Sequence, residues 1–155
     1  RAARAHAATP YGRYAAAREL EQARVALAKG PYDDEPPWTY WVTAGDIEMM
    51  GGCAALVMGD PRRALDFFNA ARSAGYASGS FAKDHSIYLA RTARAYLDLG
   101  EIDTACDVAR QAFVQGREMN SARHAGALAD FRKRLQADHR GSRAAKEFLD
   151  LTAQA

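Results

Sequence analysis

Apolar residues recur along this chain at steps of three and four, as in "YGRYAAARELEQARVAL", and alternation of apolar with polar residues is absent. That spacing follows the 3.6-residue turn of a helix, and Ala, Leu, Arg and Glu, all good helix formers, dominate. The pattern predicts helices throughout and no strand. Breakers divide it at Pro10 to Gly12, Gly30 to Pro37, Gly59 to Pro61, Gly75 to Gly79, Gly100, Gly116 to Asn120 and His139 to Ser142. About eight helices are left. Pro61 stands where proline suits a first helical turn. Asn120 or Ser121 is expected to cap the next-to-last helix and Ser142 the last.

The helices repeat. "LVMGDPRRALDFFNAARS" and "YLDLGEIDTACDVARQAF" align without a gap, matching Gly59 with Gly100, Ala64 with Ala105, Phe68 with Ala109 and Ala71 with Ala112, a shift of 41 residues. Ala16, Leu20 and Ala23 form a weaker copy, and Gly141 stands a further 41 residues on, ahead of a short final helix. These residues resemble tetratricopeptide repeats, whose helix pairs turn at a glycine and keep small residues on the second helix so that the first can approach. The usual period is about 34 residues. The excess of seven is about two helical turns, placed in lengthened first helices and in "SAGYASGSFAKDHS". The resemblance implies an all-α fold, a right-handed α-α superhelix of helical hairpins. Its repeats fall at about 1–30, 37–74, 80–116 and 120–152, in one domain.

A narrower resemblance runs from about Asp33 to Leu135. "DDEPPWTYW", "GDPRRALDFFNAA", "DHSIYLARTARAYLDLGEIDTAC" and "NSARHAGALADFRKRL" are similar to the C-terminal repeat region of actinobacterial transcriptional regulators. In those proteins a Cro/repressor-type helix-turn-helix domain precedes the repeats. The resemblance implies a regulatory or sensor region that takes a protein or peptide segment in a concave groove, and contact with DNA only through a domain outside this sequence. The opening "RAARAH" has no initiating Met and already reads as helix, which predicts a piece of a longer chain.

In the repeat frame, one first helix runs from near Trp38 to Met58. Trp38, Trp41, Gly45, Glu48, Gly51, Gly52 and Ala55 face its partner helix. Glu48 takes a place usually given to a large apolar residue and is expected to reach an arginine or solvent. Val42, Asp46, Met49, Cys53 and Leu56 face the groove, with Tyr40 off the packing face. The next repeat packs Leu89, Ala93 and Tyr96 inward and offers Ile87, Ala90, Arg94 and Leu97, with Arg91 at the margin. Phe131 extends the apolar strip with Arg132 beside it; the alternative for Phe131 and Leu135 is packing against the terminal helix. The candidate binding residues are therefore Tyr40, Asp46, Met49, Leu56, Arg91, Arg94, Leu97, Phe131 and Arg132. Met adapts to varied apolar partners, and an arginine fork suits a carboxylate, including a peptide C-terminus.

Composition fits this reading. Of 155 residues 48% are hydrophobic and 26% charged, as in an ordinary globular protein. No apolar run approaches the roughly 20 residues that cross a bilayer, so a cytoplasmic setting is the default expectation. The net charge of +2 conceals an asymmetry. Residues 31 to 60 carry Asp33, Asp34, Glu35, Asp46, Glu48 and Asp60 and no lysine or arginine, whereas residues 117 to 146 are strongly basic. Such segregation can steer a charged partner. Cys53 and Cys106 fall inside helical patterns and read as small buried thiols. His6, His85, His124 and His139 lack the spacing of a zinc site. No phosphate loop, nucleophile elbow or dinucleotide fingerprint occurs. The expectation is a non-catalytic module needing no cofactor or metal, with a dimerisation scaffold or a small-molecule sensor built on the tryptophans as alternatives.

Overall fold

The computed structural model describes residues 2–9, 12–30, 42–76, 82–116 and 122–153, with backbone alone for 82–84 and 122–124. Among them are eight helices and no strand: α1 (Ala2–Ala7), α2 (Gly12–Ala28), α3 (Ala44–Val57), α4 (Pro61–Ser73), α5 (Ala82–Asp98), α6 (Ile102–Gly116), α7 (Ala122–Asp138) and α8 (Arg143–Ala153). The chain divides into two compact units, Arg1–Tyr76 and Ala77–Ala155. No described helix is long and apolar enough to cross a membrane.

Consecutive helices pair as close hairpins twice in the first unit and once in the second. In the first, α1 pairs with α2 and α3 with α4, while α3 also meets α1 and α2. In the second, α5 pairs with α6, α5 also lies on α7, and α6 lies on α8. A small-residue seam makes the close approach possible. Ala64 and Ala71 on α4, and Ala105, Ala109 and Ala112 on α6, are all wholly buried, with the large Phe68 enclosed between the two alanines of α4.

The 41-residue shift holds down to individual hydrogen bonds. After α3 the amide of Asp60 donates to the carbonyl of Ala55 at 2.9 Å, and after α5 the amide of Glu101 donates to that of Tyr96 at 3.0 Å. Both turns pass through a glycine of positive φ, 70° at Gly59 and 78° at Gly100. This is the left-handed C-terminal turn that a side chain disfavours. Each is followed by the same opening of the next helix, Ala64 donating to the Asp60 carbonyl and Ala105 to the Glu101 carbonyl. Gly141 does not complete the series, because it is not among the positive-φ glycines. The last helix starts instead from Ser142, whose hydroxyl accepts from the amide of Ala145.

The start of α3 differs from the expectation. The helix begins at Ala44, and Thr43 ahead of it is extended, with φ −111° and ψ 167°. Thr43 Oγ1 accepts from the Asp46 amide at 3.2 Å, and the Thr43 amide donates to Asp46 Oδ2 at 2.9 Å. This reciprocal capping box ends the helix on its N-terminal side. Trp38, Tyr40 and Trp41 lie outside the described residues, as do Asn120 and Ser121.

The glycines of α3 are packing residues. A methyl group at Gly45 would lie 2.8 Å from Tyr76 Cβ, and one at Gly51 would lie 2.6 Å from the Phe67 ring; at Gly52 it would collide with Phe68. Each contact lets the end or the body of α4 approach α3 closely enough to bury Phe68 completely. Ala3, Ala7, Ala16, Leu20, Ile47 and Ala54 form the core between the first unit's hairpins. In the second unit Phe131 on α7 meets Phe148 on α8 edge to face, ring centroids 5.4 Å apart at 89°.

Candidate functional site

The expected groove residues divide according to what their neighbours already take. Asp46 is spent on the Thr43 cap, where a carboxylate in the first turn also meets the positive end of the helix. Met49 is 2% exposed and Cys53 is buried. The expected open face of α3 is largely covered because three helices touch α3, which leaves little of its circumference free. Leu56 remains half-buried. On α5, Ile87, Ala90 and Leu97 are buried together with Leu89 and Ala93. A helix packed on both α6 and α7 has apolar positions to fill on two sides. Phe131, 1% exposed, belongs to the core against Phe148. Core packing against the terminal helix is therefore the role the structure gives Phe131, and Leu135 beside it is also fully buried.

What stays near the surface is charge, in two clusters. In the first unit Arg24 on α2 donates from Nε to Glu48 Oε1 at 2.8 Å and from Nη2 to Glu48 Oε2 at 2.9 Å. The acid that departs from the repeat pattern thus reaches an arginine, as expected. Arg24 also bonds Glu21, and its guanidinium lies 5.9 Å from the centre of the Phe67 ring, with Arg63 5.7 Å from the same ring. Burial works against the Arg24 charge, yet the bonds and field of Glu48, then of Glu21, outweigh it and hold its pKa above the ordinary value. One side chain so joins α2, α3 and α4.

In the second unit the centre is Asp98, the last residue of α5. A carboxylate there faces the negative end of its own helix, and two arginines offset that. Arg94 Nε donates to Asp98 Oδ2 at 2.9 Å, and Arg134 Nη1 on α7 lies 2.5 Å from Asp98 Oδ1. Those last two atoms are closed off from water and face each other. Both arginine side chains are 38% exposed overall. Two cations share one anion, leaving one unit of positive charge in excess. Arg91, one turn before Arg94, and Arg132, two residues before Arg134, are half-buried.

The sequence analysis names Arg94 but neither its partner Asp98 nor Arg134, the second arginine on that carboxylate. Asp98 was legible, four residues on and so on the same helix face. Arg134 carried no such signal, because only the packing of α7 on α5 brings it there. Glu48 stood out as an acid at a packing position, whereas nothing marked Arg24 as its partner.

Both cysteines are buried. Among the described residues no three His, Cys, Asp or Glu side chains gather as a metal site would require. No protein-family model, curated protein or solved structure matches the chain.

Proposed function

We propose that this chain is a non-catalytic interaction module of tetratricopeptide-like hairpins, the regulatory or sensor region of a bacterial transcriptional regulator, which captures a protein or peptide segment carrying a carboxylate. The observation that carries this reading is the repetition of the hairpin at a 41-residue step, with matching turns at Gly59 and Gly100 and matching buried seams on α4 and α6. Stacked hairpins of this kind serve as binding scaffolds. The cationic excess at Arg94 and Arg134 selects the partner. Both arginine side chains remain partly exposed, and a second carboxylate would offset the charge that Asp98 leaves over. Met49, Leu97 and Phe131 take no part, being occupied in the core.

A random peptide library displayed with free C-termini tests the reading. Peptides bearing a terminal or side-chain carboxylate are expected to be enriched on the immobilised chain. Their binding should weaken about tenfold with Arg94→Gln and again with Arg134→Gln, the loss of one charge-assisted hydrogen bond each. No enrichment, or selected peptides indifferent to both substitutions, overturns it.

A further inference from the structure

The outer side of α2 carries a strip that no described residue of its own unit covers. Tyr14 is 88% exposed and Val25 46%, and Arg18 and Glu21 between them are exposed as well. At 100° per residue these four fall within an arc of about 60°, while Gly12, Ala16 and Leu20 are buried on the other side of the helix. Read from either end, the strip runs apolar, charged, charged, apolar. Its symmetry point lies between Glu19 and Leu20. Tyr14 and Val25 stand about 8 Å to either side of that point along the axis, and Arg18 and Glu21 about 2 Å. Reversing the helix exchanges the two apolar residues, and it exchanges a cation for an anion.

We propose that α2 pairs antiparallel with α2 of a second copy, about a twofold axis crossing between Glu19 and Leu20. Tyr14 then rests on Val25 of the second copy, and Arg18 bonds Glu21 of the second copy, each contact made twice, as an isologous interface requires. Charge selects this register. A parallel pair sets Arg18 against Arg18, and sliding the antiparallel pair by three residues either way brings Arg18 onto Arg18 or Glu21 onto Glu21. Among the described residues Glu21 meets Arg24 at a long 3.4 Å, and its side chain is 66% exposed, so an oxygen is available. A single helix crossing is smaller than the roughly 1,600 Å² of a standard stable interface. The pairing is accordingly weak, reversible and sensitive to salt. It stands independently of the peptide-capture reading.

Sedimentation velocity over a range on the order of 10 to 1,000 µM should show the average mass rising toward twice that of the chain, with the rise displaced to higher concentration by added salt. Arg18→Glu alone and Glu21→Arg alone should each abolish the rise. The two together should restore it, because the pair is merely reversed. Both positions are exposed, and circular dichroism checks that each variant folds. A chain carrying Tyr14→Cys with Val25→Cys should form a disulfide dimer on mild oxidation, linked 14 to 25. The two positions lie about 16 Å apart along one helix, too far for a bond within the chain. A monomeric mass throughout, including one in which some other segment covers this strip, overturns the proposal. So does a dimer that ignores the single reversals or links at other positions.

Discussion

Arg24 and Glu48 face each other across the joint between α2 and α3 through two parallel hydrogen bonds of 2.8 and 2.9 Å. Glu48 is the more enclosed partner, its side chain 17% exposed. Arg24→Ala removes both bonds and a cation over Phe67, and it leaves a shielded carboxylate without its fork. We expect a loss of about 2 kcal/mol. Arg24→Leu combined with Glu48→Leu should lose less than the single Arg24→Ala, because no uncompensated charge remains. Urea unfolding of the variants, taken as a double-mutant cycle, measures both.

Neighbouring glycines on α3 should respond differently to alanine. Either substitution gains roughly 1 kcal/mol of helix propensity. At Gly51 the obstacle is Phe67, which is partly exposed and able to swing outward, so Gly51→Ala should come out within about 1 kcal/mol of neutral. At Gly52 the obstacle is Phe68, wholly buried and held on every side. Gly52→Ala should cost roughly 1–3 kcal/mol net of the propensity gain. Thermal melts of the two variants side by side decide it, and equal effects would refute the packing argument.

Asp98 is the common partner of Arg94 and Arg134, so its loss should exceed the loss of either arginine. Asp98→Asn is expected to cost about 2 kcal/mol, less than the roughly 3–5 kcal/mol of a fully buried pair because all three side chains stay partly exposed. Arg94→Gln leaves the contact with Arg134 intact and should cost under about 1 kcal/mol. Chemical denaturation reads the ranking. This tolerance also makes Arg94→Gln a cleaner binding probe than a charge reversal, which would set a second acid against Asp98.

Burial pushes the Cys106 thiol up to about 11; Arg110 opposes the shift, and Asp103 and Asp107 add to it. In the unfolded chain a thiol ionises near 9. Between these values the folded state keeps a proton that the unfolded state has lost, so stability falls as pH rises through this window, by at most about 1.4 kcal/mol per pH unit. The slope sets in about one pH unit below the unfolded value and is negligible at neutral pH. Cys106→Ala should flatten the alkaline limb relative to the parent when denaturation midpoints are compared from pH 8 to pH 11. At neutral pH, Cys106 should react with a thiol reagent only on unfolding.

Helix number and turn positions were legible because they rest on local chemistry. Gly59 and Gly100 announce left-handed turns, Pro61 a first helical turn, and Ser142 a cap, each within a few residues of what it controls. The start of α3 was legible too, in Thr43-Ala-Gly-Asp46, but the two prolines and the aromatics upstream suggested an earlier beginning. Faces were harder. Met49 and Leu97 occupy positions that a single hairpin leaves open. Their burial comes from additional helices packed on α3 and α5, and a repeat unit taken alone contains no information about its neighbours. The charge clusters mark the same limit, for Arg24 and Glu48 are 24 residues apart and only tertiary packing joins them.

Tyr76 lies beyond the last turn of α4, its amide bonded to the Ala71 carbonyl at 2.9 Å and its Cβ filling the space that Gly45 leaves at the start of α3. The latch of the first unit is thus its final residue. A fragment stopped at Ser73 gives up that closure although it keeps all of α4, whereas one carried three residues further retains it. Where a protease trims this segment should accordingly set the melting temperature of the piece that survives.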